Sequence, residues 1–150
     1  MSVPEQDRRG RSPVREGLLT EPLENLSAVR LLGVHCSTCG ETTFGLKTIC
    51  PNCGRDTVEA RPLSGQGSLW SYTIVRHRPP GDYRGPEPFS PFGLGLVELP
   101  DGVRVLSPLD CPVEELAVGM PLRFEPRVWR DGEREVVGFA FAAAGGAEAP

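Results

Sequence analysis

Four cysteines carry the clearest chemistry in this sequence. Cys36-Ser-Thr-Cys39-Gly40 is followed, ten residues on, by Cys50-Pro-Asn-Cys53-Gly54. A two-residue spacing lets one tight turn present two sulfurs to one ion, and the glycine after each second cysteine accepts the positive φ such a turn requires. Two such turns supply the four ligands that Zn²⁺ takes in a tetrahedron, with Zn–S near ~2.3 Å. Four thiolates leave no position for water, so the site reads as structural rather than catalytic. Iron in the same sulfur cage is the alternative metal. Two disulfides would need an oxidising compartment, and a redox pair would be single and would open a helix. His35, directly before Cys36, is read as a strand residue rather than a ligand. Cys111, in Leu-Asp-Cys-Pro, is read as a small packed residue.

No other catalytic pattern emerges. The chain has no paired acid and base, no phosphate-binding glycine loop and no triad, and no constellation can be assembled around Cys111 or the other histidine, His77. The stretch from His77 to Gly93 is rich in proline and carries Tyr83, Phe89 and Phe92, which makes it a stiff loop whose aromatics would anchor a partner. The competing expectation is that these rings fold back on the body of the protein. Arg76, Arg78 and Arg84 flank or lie in the loop, and guanidinium groups pair bidentately with phosphate. Trp70 and Tyr72 are expected to pack against the cysteine-bearing segment, with base stacking as the alternative use of that surface.

Elements that position these residues follow from composition and pattern. Gly 18 and Pro 16 exceed a fifth of 150 residues, which disfavours long helices. Residues 1–15 are charged and poor in apolar side chains, the composition of a disordered tail. Residues 16–30 hold Leu18, Leu19, Leu23, Leu26 and Val29 at roughly helical spacing interrupted by Pro22, which predicts a short helical segment. Residues 31–62 form the cysteine block, a zinc ribbon with short strands. Residues 63–143 read as five strands: GSLWSYTIVRHR, FGLGLVEL, VRVLSPL, LRFEPRVW and REVVGFAFAAA. Asp101-Gly102 and Asp131-Gly132 mark hairpins, and CPVEELAVGM reads as a short helix closed by Gly119. Five strands with a helical connection after the third fit the OB-fold barrel. Residues 144–150 form a loose tail. The fold class is thus mostly β, a rubredoxin-like ribbon followed by a five-stranded OB-fold.

Charge and hydropathy limit the partners. The net charge is −4 and 20 acidic residues outnumber 16 basic ones, only one of which is lysine; a general nucleic-acid binder shows a basic footprint instead. No apolar run approaches the ~20 residues of a membrane helix, and the amino-terminal residues lack the apolar stretch of a secretory signal. A cytoplasmic location is expected.

A cysteine ribbon running directly into an OB-like barrel resembles a known family. The matching stretches are HCSTCG, TICPNCG, RPLSGQGSLWSYTIVRHRPP, FGLGLVELPDGVRVLSPL and VEELAVGMPLRF, and the resemblance covers roughly residues 29–143 in order. The family comprises zinc-ribbon/OB-fold proteins, first catalogued as a domain of unknown function, that partner thiolase-superfamily enzymes and some acyl-CoA hydratases. The resemblance implies a non-catalytic accessory subunit with one structural zinc. It implies docking beside a thiolase-like partner's active site, where the chain helps bind the coenzyme A portion of an acyl-CoA. The partner would make or break carbon–carbon bonds. Arg76, Arg78, Tyr83, Arg84, Phe89, Phe92 and Trp70 are then the candidates for contact with partner or coenzyme A. Rival expectations are a subunit of an acyl-CoA hydratase and a nucleic-acid-binding OB-fold/zinc-ribbon module.

Overall fold

A computed structural model describes residues 10–81, 83, 85 and 87–144. Among the described residues nine strands carry the fold: β1 (Arg11–Pro13), β2 (Leu32–Cys36), β3 (Thr42–Phe44), β4 (Val58–Pro62), β5 (Gln66–Val75), β6 (Phe92–Glu98), β7 (Arg104–Asp110), β8 (Pro121–Asp131) and β9 (Arg134–Ala143). Strands β3-β2-β4 form an antiparallel ribbon sheet. The other six form one sheet in the order β1-β9-β7-β6-β5-β8, and the additional β8–β9 pairing closes β5 to β9 into a five-stranded barrel. The closing contact is parallel, Leu109 beside Phe141 and Asp110 beside Ala142. This is the OB-like barrel the strand pattern predicts.

Alternation explains why these segments close. Along β7 burial alternates residue by residue, with Val105, Ser107 and Leu109 inward and Arg104, Leu106, Pro108 and Asp110 outward, the period of a strand with one face in a core. Strand β6 repeats the alternation. Both Asp-Gly signals form turns: Gly102 N–H donates to the Leu99 carbonyl at 3.0 Å, and Asp131 pairs with Arg134 across a two-residue connection.

Ribbon and barrel share one continuous core. Leu31 from the ribbon, Leu63 directly after it, and Leu19, Leu23 and Val29 from the segment before it, belong to the same buried cluster as Leu69, Val97, Leu122 and Phe141. Strand β3 reaches the barrel through Phe44, whose ring meets Phe139 of β9 edge-on at 6.2 Å.

Three local expectations are corrected. Residues 11–13 are a strand rather than tail. They run parallel to Glu135–Val137 of β9, where β7 does not reach, and so satisfy backbone groups that would otherwise lie open at an edge. Arg11 fixes the contact through Glu135 at 2.8 Å. The segment 16–30 holds only one 3₁₀ turn, Leu26–Ala28. Its backbone instead bonds across itself, Thr20 N–H to the Arg30 carbonyl and Leu32 N–H to the Leu18 carbonyl, so its leucines are buried from an extended loop. The connection after β7 is likewise a single 3₁₀ turn, Val113–Glu115; Gly119 lies at φ +93° and gives its N–H to the Leu69 carbonyl of β5. Residues 1–9 of the expected tail and the carboxyl-terminal residues 145–150 lie outside the described residues. No helix among the described residues is long and apolar enough to cross a membrane.

Candidate metal centre and outward barrel face

The ribbon brings together the four cysteines that the spacing selected. Cys36 ends β2, and its carbonyl accepts the N–H of Gly40 at 2.9 Å; the Cys50 carbonyl accepts the N–H of Gly54 in the same way. Gly40 and Gly54 sit at φ +82° and +80°, the left-handed region that glycine enters without strain. The four sulfurs all lie within 4.8 Å of one another. Cys36 and Cys53 are 3.7 Å apart, Cys39 and Cys50 3.6 Å. A tetrahedron built on a ~2.3 Å Zn–S bond has edges of about 3.8 Å. The sulfurs are therefore spaced for a tetrahedral thiolate-binding metal and too far apart for S–S bonds, which are ~2.05 Å.

Hydrogen bonds prepare two of these thiols, Cys36 and Cys39, to lose protons. The Thr57 hydroxyl, with help from the backbone N–H groups of Cys39 and Thr38, holds the Cys36 thiol down at about 6. The Asn52 side-chain amide, then the Glu41 N–H, lowers Cys39. The Arg55 N–H pulls Cys53 down as well, but desolvation and the neighbouring sulfurs outweigh it and raise that thiol to about 11. Four thiolates this close repel one another, and a divalent cation among them relieves the repulsion while binding displaces the protons. His35 stands aside from the cluster: its Nδ1 pairs with Thr42 Oγ1 at 2.9 Å across the β2–β3 ladder.

Cys111 packs half-buried against the core. Burial, followed by the charges of Glu115, Asp110 and Glu114, pushes its thiol up, opposite to what a nucleophile needs. His77 is exposed.

The remaining candidates divide between the long loop and the barrel face. Tyr83, Phe89 and Phe92 fold onto one another, with ring centroids 5.7 to 6.3 Å apart. The loop aromatics are thus mutually covered and half-buried. Arg78 lies 5.3 Å over the Tyr83 ring and pairs with Glu87, its Nε donating at 3.0 Å. Arg76 is exposed; Arg84 lies outside the described residues.

Trp70 and Tyr72 do not pack against the ribbon, contrary to expectation. The ribbon docks through Phe44 on β9 instead. Trp70 sits where the β5–β6 register shifts and is 46% exposed. Its ring carries the Arg104 guanidinium at 3.9 Å, and Arg104 in turn pairs with Glu98 at 3.1 Å. Tyr72 turns its hydroxyl to the Leu116 carbonyl at 3.2 Å. The same face shows a feature that sequence reading missed. Leu96 and Leu106 are register partners on the outward side of β6 and β7, and Leu106 is 60% exposed. With Leu94 opposite Pro108, they form an apolar strip beside Trp70. The signal was present in Val103-Arg-Val-Leu106, where Leu106 falls in the outward phase.

Comparison with known proteins agrees with this architecture. A family model described as the ChsH2 C-terminal OB-fold domain matches residues 60–127. A DUF35 domain-containing scaffold protein of Methanocaldococcus jannaschii is 33% identical over 114 residues, 74% of this chain and 78% of that one. One from Pyrococcus furiosus is 36% identical over 107 residues, 71% and 75% of the two chains. The benzoylsuccinyl-CoA thiolase subunit BbsA of Thauera aromatica is 29% identical over 94 residues, 62% of this chain and 60% of BbsA. Among solved structures, a chain of the Ltp2–ChsH2(DUF35) aldolase is similar with a TM-score of 0.56 and 26% identity, covering 74% of this chain and 84% of that one. By its sequence identity to these scaffold proteins across most of both chains, and by the ribbon and barrel it builds, this chain belongs to the DUF35 family.

Proposed function

We propose that this chain is a non-catalytic accessory subunit of a thiolase-superfamily enzyme that makes or breaks carbon–carbon bonds in acyl-CoA substrates. The observation that carries the reading is the likeness to relatives named as parts of such enzymes, the thiolase subunit BbsA and the aldolase chain. The chemistry of Cys111 supports it: this half-buried thiol outside the ribbon is pushed toward protonation, away from the state a nucleophile needs. The cysteine cluster holds one structural Zn²⁺, which fixes the ribbon and takes no part in the acyl-CoA chemistry.

The outward face of β5, β6 and β7 is the surface offered to the partner. Trp70, Leu96 and Leu106 give it an apolar centre, and the Glu98–Arg104 pair a charged edge, the anatomy of a protein interface. Arg76 and Arg78 at the end of β5 stand near enough in sequence to meet the phosphates of a coenzyme A held by the partner. The test is turnover of an acyl-CoA by a thiolase-like enzyme from the same genome, with and without the chain. Turnover that needs the chain supports the reading. Turnover by the enzyme alone, at the same rate and substrate affinity, contradicts it.

A further inference from the structure

The four thiols of the metal centre have unequal surroundings. Two side chains from the second half of the ribbon reach sulfurs of the first pair. Thr57 Oγ1 lies 3.4 Å from Cys36 Sγ, and Thr38 Oγ1 lies 2.7 Å from Thr57 Oγ1. Asn52 Nδ2 donates to Cys39 Sγ at 3.5 Å. The second pair receives only backbone donors among the described residues: Asn52 N–H to Cys50 at 3.4 Å and Arg55 N–H to Cys53. Cys36 and Cys50 are buried, whereas Cys39 and Cys53 are exposed. The two thiolates that solvent can reach thus differ by one side-chain donor, the Asn52 amide.

A hydrogen bond to a metal-bound thiolate withdraws charge from the sulfur lone pair and lowers its nucleophilicity, besides orienting it on the metal. We propose that Cys53 is the reactive thiolate of this centre and the position at which soft electrophiles modify the chain, with Asn52 the positioning residue that protects Cys39. In the reaction the Cys53 sulfur attacks an electrophilic carbon. A C–S bond forms, the carbon–leaving-group bond breaks, and the leaving group departs with its electron pair. The thioether product is a poorer ligand than the thiolate, so modification loosens the metal from that side. This inference rests on the metal reading given above.

The test uses the full-length chain loaded with Co²⁺, then with Zn²⁺. A cobalt–thiolate charge-transfer band verifies the four-sulfur site; its absence overturns the metal reading and this inference with it. The Zn²⁺ form is then treated with limiting iodoacetamide, and labelled cysteines are located by peptide mass spectrometry. Cys53 is expected to label about five-fold faster than Cys39, the equivalent of one hydrogen bond. Asn52→Ala should bring Cys39 up to the rate of Cys53, and Thr57→Val should leave the ratio of the two unchanged. Equal labelling of Cys39 and Cys53 in the unmodified chain, or a ratio that Asn52→Ala does not move, overturns the proposal even when the cobalt band is intact.

Discussion

Phe44 of the ribbon meets Phe139 of the barrel edge-on, with ring centroids 6.2 Å apart at 88°. Phe139 also stacks on Phe124 at 6.1 Å and meets Phe141 at 6.5 Å, so Phe44 joins an aromatic chain that runs into the barrel interior. Removing a ring of this kind costs about 3 kcal/mol. Phe139→Ala should lower the unfolding free energy by that amount, seen as a lower urea midpoint at unchanged m-value, while the ribbon still binds one metal ion per chain, checked by urea unfolding and elemental analysis.

Metal removal should have a larger effect. Binding of a structural zinc contributes on the order of 10 kcal/mol, comparable to the whole stability of a domain. Because Leu31 and Leu63 sit in the barrel's own core cluster, losing the ribbon exposes part of that core as well. Cys36→Ser should abolish metal content and lower Tm, and a strong chelator should do the same to the unmodified chain. A variant that melts unchanged would show that the cysteines fold the ribbon without metal.

The pair that ties β1 to β9 predicts a pH dependence. Arg11 donates to Glu135, and this hydrogen bond holds the Glu135 carboxyl below its ordinary 4.5. A carboxyl lowered by folding stabilises the protein above its unfolded value, and the contribution is lost as pH falls through the folded value. Glu135→Gln should therefore lower stability near neutral pH. The difference from the unmodified chain should shrink below pH 4.5 and vanish in acid, measured by thermal melts across that range.

The outward barrel face should separate binding from stability. Leu106 is 60% exposed, so Leu106→Glu should change stability by only about 0.5 kcal/mol. At the centre of an interface the same change should weaken a complex by about 2 kcal/mol or more, readable as a Kd some thirty-fold higher. Trp70→Ala should act likewise, with the small further loss of the Arg104 contact, about 0.5 to 1 kcal/mol at an exposed site.

What could be read in advance follows from the range of the interactions. The cysteine cradle is set by spacings of two residues and by Gly40 and Gly54, so it was legible. The five barrel strands and the two Asp-Gly turns are local patterns as well. The pairing of Arg11 with Glu135 spans 124 residues and leaves no periodic trace. The burial of Leu19 and Leu23 follows from backbone bonds across a loop rather than from a helix, and apolar spacing alone does not separate the two. Trp70 was misplaced for a similar reason: a tryptophan on a strand says that a surface is wanted, but only the docking of Phe44 on β9 decides that the ribbon does not supply it. Thr57 and Asn52 carry no spacing rule at all and emerge only from their distances to sulfur.

The central claim is that this chain works as a docked subunit. Size-exclusion chromatography with light scattering, on the chain co-expressed with a thiolase-like enzyme from the same genome, tests it most directly. The account predicts one peak whose mass contains both chains and which Leu106→Glu splits into separate components. A chain that elutes alone at its own 16.2 kDa, and that binds single-stranded DNA instead, would contradict it.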